Sequence, residues 1–534
     1  MKSTLLLLLA LNMSLGPQQE TSEFIRTRAE MLTVGLAVQI EGESLHCRKM
    51  LPEFYQNRQF ATVWTPDLRE QLAAVLAQVA DEGLNPNDYH LAAIHQYQAK
   101  PESTIRQAEL DLLLTDAFLL YASHFLNGKV NPETIGEEWK AVRREGNARE
   151  VFEKALNTKD ITGTLAALAP SFEGYDSLKM MLATYRSVEE KGGWKPIPAG
   201  ETLKPGMADA QRVPLLIARL QATGDLAKDK IADPTIYDQY LSDAVKQFQQ
   251  RHGLETDGNL GKNTTAALNV PATERIAQIR INLERYRWVA QELGNHFVLV
   301  NIANYKMRVF KDQKLSYEQK VIVGKPFRKT PVFTARMSYL VLNPYWTVPP
   351  TILFNDMLPE VKKNSGYLKT KNIRVLQGQG SAMQEVDPAT IDWSKLSKSY
   401  FPYTLRQDPG PTNALGQVKF MFPNSYNVYI HDTPSRELFQ REDRAFSSGC
   451  IRLHKPIDFV RYLLANDAAW PATRIDQALA AGKEQTIMLK EPLPVHILYL
   501  TAWFGDGALH FRNDIYERDR ALLAALDAPA PTIE

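Results

Sequence analysis

Through the first third of the chain, apolar residues recur every three or four positions, which is the spacing of one face of an α-helix. One apolar stripe stops before Gly83, and a second stops at Asn127-Gly128. These stripes predict helices packed into a common core, so we predict a helical scaffold domain over residues 21–205 with no chemistry of its own. The stripe residues are Leu68, Leu72, Val75, Leu76 and Val79, then Leu110, Leu113, Leu114, Ala117, Phe118 and Phe125.

A stretch rich in glycine and proline, from Gly192 to Gly206, separates this domain from a smaller unit at residues 207–271. Its apolar pattern predicts helices at 213–223 and 240–252 and a short third helix at 264–268. Glycines between the last two helices suit turns that need positive backbone angles. We therefore predict a small three-helix domain.

After a predicted bridging helix at 276–289, the pattern changes to short alternating strands. We assign residues 293–516 to a mainly-β domain, interrupted at 351–416 by an insertion long enough to be a lid. Residues 517–534 are expected to form a C-terminal tail, and the fold class is multidomain α+β. The predicted strands are 297–302, 307–310, 317–323, 338–348, 417–422 and 426–431.

A chain of 534 residues is longer than a single hydrophobic core usually supports, which agrees with several domains. Lys and Arg number 62 against 61 Asp and Glu, so the chain has no strong net field. We therefore predict no nucleic-acid partner. An acidic polymer remains a compatible partner, because local patches can exist within a neutral total.

The N-terminus has the pattern of a short signal peptide. Lys2 precedes an apolar run from Leu5 to Leu11, and the small residues Ser14 and Gly16 are suitable for cleavage. The run is too short to span a bilayer, and no other apolar run is long enough. We expect residues 1–16 to direct export to the periplasm; the alternative is a buried N-terminal helix.

Cys47 and Cys450 are the only cysteines, although exported proteins usually pair theirs in disulfides. Their surroundings differ too much for a structural pair: Cys47 lies in a polar stretch, whereas Cys450 follows Gly449 in a turn of small residues. A thiol is mostly protonated at neutral pH, so a nucleophilic Cys450 needs a base, and His431 is the candidate. The sequence does not explain Cys47.

Four neighbours of this pair are candidates for substrate binding. Strand alternation places Tyr429 on the same face as His431. Backbone amides around Gly449 and Cys450, next to Ser448, could stabilise an oxyanion, because small residues let a carbonyl approach the main chain. Arg452 could favour the thiolate, hold a substrate carboxylate or form a structural ion pair.

The string YNVYIHDTPSRELFQREDRAFSSGCIRLHKP resembles the active-site signature of the L,D-transpeptidase (YkuD-type) catalytic domain. The strings NIANYKMRVF, VIVGKPFRKTP and LNPYWTVPP match the strand order of the same family. The string AVKQFQQRHGLETDGNLGKNTTAALN resembles the peptidoglycan-binding domain family. With the helical scaffold, the chain is similar to the large periplasmic L,D-transpeptidases. Ser448 replaces the common histidine before Gly-Cys, as in that subgroup, so the resemblance makes His431 the general base.

The resemblance implies a reaction and its partners. Cys450 would attack the carbonyl of the third residue of a tetrapeptide stem, release the terminal D-Ala and retain the acyl group as a thioester. A diamino acid amine of another stem would then form a third-to-third crosslink. The implied partners are peptidoglycan stem peptides, with other cell-wall synthesis proteins as further candidates. The resemblance implies no cofactor and implies acylation of Cys450 by carbapenems.

Other functions stay open or are disfavoured by the residues. An L,D-carboxypeptidase would differ only in using water as the acceptor, and a non-catalytic wall-binding scaffold would make the Cys450 and His431 pattern a coincidence. A serine D,D-peptidase would need an S-x-x-K motif, which we do not find. His454 does not complete a recognisable zinc-ligand spacing with Cys450 and His431, so we predict no metal site.

Overall fold

A computed structural model describes residues 16–98, 103–136, 139–227 and 231–533. The predicted signal segment lies outside these ranges, apart from Gly16. No helix within the described ranges is both long and apolar enough to cross a membrane.

The N-terminal part is helical, and the helix Thr104–Asn127 forms its centre. The Ser103 hydroxyl caps this helix by accepting the Arg106 N–H at 3.3 Å, and Gly128 ends it. The other helices surround it, so residues on every side of its middle are buried rather than only one stripe. The surrounding helices are Pro17–Thr33, Met50–Gln56, Pro66–Ala77, Leu91–Gln98, Ala148–Thr158, Ile161–Ala166 and Tyr175–Glu190.

The small unit has its own apolar core and three helices, as the sequence predicted. The Asp238 side chain caps the second helix by accepting the Leu241 N–H at 2.9 Å. Gly253 ends the same helix with a φ of 70°, a left-handed conformation that favours glycine. The helices are Arg212–Ala222, Gln239–His252 and Lys262–Leu268, and the bridging helix that follows is Ala272–Trp288.

The β unit is built on one sheet that closes on itself, because its first and eighth strands also pair. A ninth strand, Trp139–Lys140, comes from the helical part and joins the eighth strand in parallel. The short strand Ala445–Ser447 pairs with the long strand Lys314–Gly324 off this path. In order around the sheet, the eight strands are Val418–Met421, Ile430–His431, Ile451–Leu453, Lys314–Gly324, Lys306–Lys311, His296–Asn301, Gln485–Leu498 and Val332–Leu342.

The inserted lid is a small folded layer with its own core around Trp346 and Trp393. The strand predicted at 338–348 is wrong in its C-terminal half: it ends at Leu342, because Asn343 has a φ of 47° and a proline follows. The lid sheet therefore begins before residue 351. Its strands are Trp346–Thr347, Tyr403–Gln407, Ile373–Gln377 and Gln384–Val386, and its helical turns are Pro350–Ile352, Leu353–Met357, Leu358–Lys363 and Gly366–Thr370.

The C-terminal segment is not a free tail, contrary to the prediction for 517–534. The helix Asp519–Asp527 buries Leu522 and Leu526 in the main core. The chain end then pairs with the start of the scaffold, where the Ile533 N–H donates to the His46 carbonyl at 2.9 Å. The remaining elements after the site are helices Pro456–Leu464 and Ala472–Ala480 and the hairpin Ala502–Gly505 with Ala508–Phe511.

Cys47 lies within this junction and is fully buried. Its N–H donates to the buried Asp116 carboxylate at 2.8 Å, and its thiol contacts the Asp116 carbonyl at 3.7 Å. The polar local sequence gave no indication of this burial. Both cysteines are free, and Cys47 has a packing role.

The scaffold and the bridging helix meet closely at Gly128, whose φ of 85° and ψ of 150° are accessible mainly to glycine. A Cβ atom there would lie 2.4 Å from Trp288 Nε1 and 2.7 Å from a Glu284 oxygen. This contact therefore requires a residue without a side chain.

We expect Gly128→Ala to lower the free energy of unfolding by about 2–4 kcal/mol, because backbone strain and overpacking add at one site. Urea unfolding followed by tryptophan fluorescence would measure the change. Gly136→Ala is the matched control, since Gly136 also has a positive φ of 72° but nothing within 4 Å of its added Cβ. Its cost should be about 1–2 kcal/mol, and equal costs for the two variants would contradict the close contact.

Candidate active site

The candidate residues lie on two short neighbouring strands of the closed sheet. Ile430–His431 and Ile451–Leu453 run parallel, with Ile430 level with Ile451 and His431 level with Arg452. The two isoleucines are fully buried in the core. Since successive side chains alternate between faces, His431 and Arg452 project from the opposite face.

Cys450 immediately precedes the second strand and lies level with Tyr429, because the Ile451 N–H donates to the Tyr429 carbonyl at 3.1 Å. Tyr429, His431, Cys450 and Arg452 thus occupy four adjacent positions on one face. The predicted strand 426–431 is shorter than expected, since only Ile430–His431 is extended in the sheet. Asn427 breaks it with a φ of 55°.

The turn before Cys450 is held by hydrogen bonds rather than by packing. The Ser447 hydroxyl accepts the Gly449 N–H at 3.1 Å and donates to the Cys450 carbonyl at 2.5 Å. The Thr330 hydroxyl donates to the Gly449 carbonyl at 2.8 Å. Gly449 has a φ of 115°, while the nearest atom to an added Cβ is 3.7 Å away, so its backbone angle and not lack of space requires glycine.

This arrangement modifies the expected use of the turn amides. The Gly449 N–H is already bonded to Ser447 and is not free to bind an oxyanion in this conformation. The Cys450 N–H has no hydrogen-bond partner among the described residues. Of the two amides, the Cys450 N–H is therefore the one available to a developing negative charge.

The Cys450 side chain is partly buried and contacts neighbouring residues. Its Sγ lies 3.8 Å from the Asn427 carbonyl oxygen, in a geometry for donation by the thiol. The Tyr429 side chain lies close enough to the thiol for each group to shift the pKa of the other. Burial raises the pKa of Cys450 above its ordinary value, and Tyr429 and the charge of Arg452 only partly oppose that rise.

His431 is only 5% exposed, and its ring lies 5.6 Å from the Tyr429 ring, measured between centroids. Burial, assisted by the charge of Arg452, lowers the pKa of His431 to about 3. Its Nδ1 is buried without a hydrogen-bond partner of ordinary geometry among the described residues. At neutral pH the side chain is therefore an uncharged imidazole with one nitrogen able to accept a proton.

Arg452 is a cation without a carboxylate partner. It forms no salt bridge with the described residues, and its Nε is buried without a hydrogen-bond partner. The structure therefore contradicts the alternative that Arg452 is a structural ion-pair residue. A positive charge left unpaired beside a reactive thiol can receive an anionic group of a ligand.

Ser448 is exposed at the rim and links the turn to the lid. Its hydroxyl oxygen accepts Nη1 of Arg328 at 3.0 Å, and the same guanidinium forms two bonds to the lid residue Asp356, at 2.5 and 2.6 Å. Asp432 faces away from the site and pairs with Arg436. Sequence reasoning missed Arg328, Asp356 and the Asn427 carbonyl, because only the tertiary fold brings them to the turn.

No three His, Cys, Asp or Glu side chains converge as potential metal ligands anywhere in the described ranges. In particular, His454 directs its backbone rather than its ring to the neighbouring strand, with its N–H donating to the Lys320 carbonyl at 3.2 Å. Its ring packs 5.0 Å from Phe439.

Comparison with known proteins now assigns the domain that contains these residues. Residues 295–478 match the family model of the L,D-transpeptidase catalytic domain. The chain contains an L,D-transpeptidase domain. Residues 209–268 match a putative peptidoglycan binding domain, and residues 49–182 match a scaffold domain. The strand Gln485–Leu498 lies outside the matched residues but belongs to the same sheet.

A putative L,D-transpeptidase from Haemophilus influenzae is 38% identical over 245 residues. That match covers 46% of this chain and 48% of the relative, so the chain spans about half the length of the curated relative it matches.

Two solved L,D-transpeptidases are weakly similar in structure. The protein from Xylanimonas cellulosilytica has 15% identity and a TM-score of 0.18, with 57% of this chain and 100% of that chain covered. The protein from Stackebrandtia nassauensis has 13% identity and a TM-score of 0.20, with 59% and 100% covered. Similarity at this level adds nothing to the domain assignment.

The raised pKa of the thiol gives a first prediction. We expect alkylation of Cys450 by iodoacetamide to keep accelerating as the pH rises to about 9 and beyond, because the thiolate forms only above the ordinary range. Arg452→Met should lower the rate at pH 8 about threefold, since a charge that favours the thiolate is lost. Peptide mass spectrometry would follow Cys450 separately from the buried Cys47.

Arg461→Met, at an exposed position of the helix Pro456–Leu464, is the control for loss of an arginine and should leave the profile unchanged. A rate that levels off near about pH 6, the range of thiolates paired with a cation, would contradict a neutral resting pair.

The Arg328–Asp356 contact gives a second prediction. Asp356→Asn should increase the alkylation rate of Cys450 by about two- to fivefold, because one ion pair that fastens the lid to the turn is lost. Glu360→Gln removes the exposed pair with Lys363 in the same lid and is the matched control. Equal rates for the two variants would mean that Asp356 does not restrain the lid.

Proposed function

We propose that the chain is a peptidoglycan L,D-transpeptidase with Cys450 as nucleophile and His431 as general base. The observation that carries this proposal is the placement of the thiol and an uncharged imidazole on one face of two paired strands, inside an L,D-transpeptidase domain. The domain match gives the class of reaction. The placement of the two side chains supports Cys450 and His431 as the residues that carry out this reaction.

In the first step, Nδ1 of His431 takes the thiol proton as Sγ attacks the carbonyl carbon of the third stem residue. The resting pair is a thiol and a neutral imidazole, so deprotonation accompanies attack instead of preceding it. The Cys450 N–H stabilises the tetrahedral oxyanion. The imidazolium then returns its proton to the leaving amine, and free D-Ala departs.

In the second step, the thioester on Cys450 meets the side-chain amine of a diamino acid in another stem. Neutral His431 accepts a proton from that amine as the C–N bond forms and the C–S bond breaks. The imidazolium then passes this proton to the departing sulfur, which regenerates the thiol. The product is a third-to-third crosslink. Arg452 binds a carboxylate of the donor stem, and Tyr429 lines the site beside the sulfur.

Water in place of the amine would make the chain an L,D-carboxypeptidase. The lid favours transfer over hydrolysis, because Arg328 fastens it to the turn and a covered thioester meets less water. We place the enzyme in the periplasm, exported by residues 1–16, with peptidoglycan as its polymeric partner. The match to a putative peptidoglycan binding domain supports that partner.

Intact-protein mass spectrometry after incubation with a carbapenem tests the nucleophile. Wild type should gain one adduct, Cys450→Ala should gain none, and Cys47→Ala should behave as wild type if it remains folded. Cys47→Ser at the same buried position is a second control with smaller loss of volume. An unmodified wild type, or an adduct lost only with Cys47, would overturn the assignment.

Incubation with a disaccharide-tetrapeptide, followed by mass analysis of the products, then separates the two enzymes. Crosslinked dimers with release of D-Ala support the transpeptidase. Trimmed tripeptide alone would establish the carboxypeptidase. No product from a protein that forms the carbapenem adduct would show that this stem is not the donor.

A further inference from the structure

A large open cavity lies away from Cys450, where three parts of the chain meet. Its volume is about 1300 Å³, above the usual range of small-molecule pockets. Its walls come from the end of the helix Gln239–His252, from the loop 440–444 and from the hairpin Ala502–Phe511. Neither Cys450 nor His431 lines it.

The wall contains more positive than negative charge. Seven lysines and arginines line the cavity, against five aspartates and glutamates. Three of the cations are paired: Arg251 with Asp225, Arg308 with Asp506 and Glu318, and Lys306 with Glu318. Four cations then remain against three carboxylates. The lining cations are Arg251, Lys306, Arg308, Lys320, Arg441, Arg444 and Arg512, and the lining anions are Asp225, Glu255, Glu442, Asp443 and Asp506.

Arg444 and Arg512 form no salt bridge with the described residues. Arg512 donates to Asn304 Oδ1 at 3.0 Å and to the Arg251 carbonyl at 2.9 Å. Arg444 donates to the Tyr305 carbonyl at 3.2 Å. Both guanidinium groups are held in place by neutral acceptors, so their charges are positioned but not neutralised.

The lowered pKa values of both arginines favour an anionic ligand beside them. Burial, together with the charges of Arg444 and Arg308, lowers the pKa of Arg512 to about 9. Burial also lowers the pKa of Arg444. Cations are seldom gathered in this way unless an anion offsets their repulsion.

The remaining carboxylates do not supply that anion. Asp443 accepts the Tyr305 hydroxyl at 2.7 Å and the Ala445 N–H at 3.0 Å. The Glu442 carboxylate accepts the backbone N–H of Glu255. The Glu255 side chain is the other carboxylate of the wall. Lys320 and Arg441 are exposed and balance these two glutamates in number.

A buried polar group on the wall also lacks a partner. His510 is 8% exposed, and its Nε2 bonds the Gly505 carbonyl at 3.0 Å, but its Nδ1 has no hydrogen-bond partner among the described residues. Its ring stacks on Trp503 at 5.0 Å, which holds it in place. Because this atom is shielded from solvent, it does not face the open cavity, and the anionic preference rests on the two arginines.

We propose that this cavity binds a carboxylate-bearing stem peptide of peptidoglycan at a site separate from the thiol. The anionic character follows from the unpaired arginines, while the identity of the ligand rests on the proposed function. One wall, at Arg444, continues directly through the strand Ala445–Ser447 to Cys450. A polymer strand held here would therefore keep other stems of the same strand close to the thiol and raise their local concentration.

The test uses the full chain with Cys450→Ala and a soluble disaccharide-tetrapeptide as the probe. Hydrogen–deuterium exchange should show protection in peptides from 440–444 and 503–512, in addition to any at 427–452. Calorimetry on the Cys450→Ala variant with Arg452→Met, which removes the carboxylate contact proposed beside the thiol, should show that binding weakens about tenfold or more when the stem carboxylates are amidated. Protection confined to 427–452, or equal affinity for the amidated stem, would overturn the proposal.

Substitutions at exposed residues test the cavity without disturbing the fold. Lys320→Gln with Arg441→Gln should weaken binding about fivefold, because two rim cations are lost. Lys483→Gln with Arg520→Gln removes the same charge from exposed positions outside the cavity and is the matched control. Arg512→Gln should have a larger effect, provided that its melting temperature is unchanged. Equal affinities for the two double variants would overturn the proposal.

Competition with inorganic phosphate tests whether the cavity binds a phosphate ligand instead of a carboxylate. Tight phosphate binding that excludes the stem would assign the cavity to a phosphate ligand and overturn the carboxylate assignment. The carbapenem adduct on Cys450 reports the proposed function by itself. An adduct without cavity binding would refute only this inference, whereas cavity binding without an adduct would refute only the nucleophile.

Discussion

The arrangement of the whole molecule depends on a buried ion pair in the bridging helix Ala272–Trp288. Glu284 and Arg287 are completely buried, and their side chains meet at 2.8 Å. Glu284 also accepts the Val130 N–H at 2.7 Å, and Arg287 donates to the Glu82 carbonyl at 3.0 Å. Removing either partner would leave an uncompensated charge in the core, which is among the most costly changes a protein can suffer.

The same helix fixes the transpeptidase domain on its other side. Asn282 receives the Thr501 N–H at 2.9 Å, and Arg285 pairs with Asp519 of the C-terminal helix at 2.6 Å. Scaffold, sheet and chain end therefore share one continuous core instead of meeting at a sliding surface. This shared core keeps the candidate site in a constant relation to the scaffold. The scaffold, which we predicted to have no chemistry, positions the domain that has it.

Closure of the sheet explains why the candidate site lies on such short strands. Ile430–His431 needs only two residues, because Val418–Met421 holds it on one side and Ile451–Leu453 on the other. The residues that flank it are thereby free to turn. Asn427 adopts a positive φ and brings its carbonyl to the sulfur, and Gly449 adopts one and brings the thiol above the sheet.

The sequence was sufficient for whatever depends on periodicity and local chemistry. Helical spacing and glycine stops located the C-terminal ends of Thr104–Asn127 and Gln239–His252. Strand alternation placed Tyr429 with His431. The fold class and the resemblance to L,D-transpeptidase and peptidoglycan-binding domains are confirmed.

What the sequence could not provide depends on contacts between distant residues. Cys47 is buried within a polar stretch because Asp116 and Ile533 satisfy the backbone there, and neither is near it in the chain. Arg328 reaches Ser448 only through the fold. The strand predicted at 338–348 failed for a local reason, because the apolar pattern continues across Asn343 while the backbone reverses there.

The opposed pKa shifts of Cys450 and His431 argue for a particular kind of reactivity. A thiolate beside an imidazolium would react with many electrophiles, whereas burial here keeps both groups neutral. In the proposed mechanism, the nucleophile is then formed only when a carbonyl is within reach and the Cys450 N–H can stabilise its oxygen. An anionic stem at Arg452 adds charge that favours the imidazolium formed in that step. That mechanism links substrate binding to activation of the thiol, and in the proposed periplasmic location the burial that raises the pKa of the thiol would also protect it from oxidation.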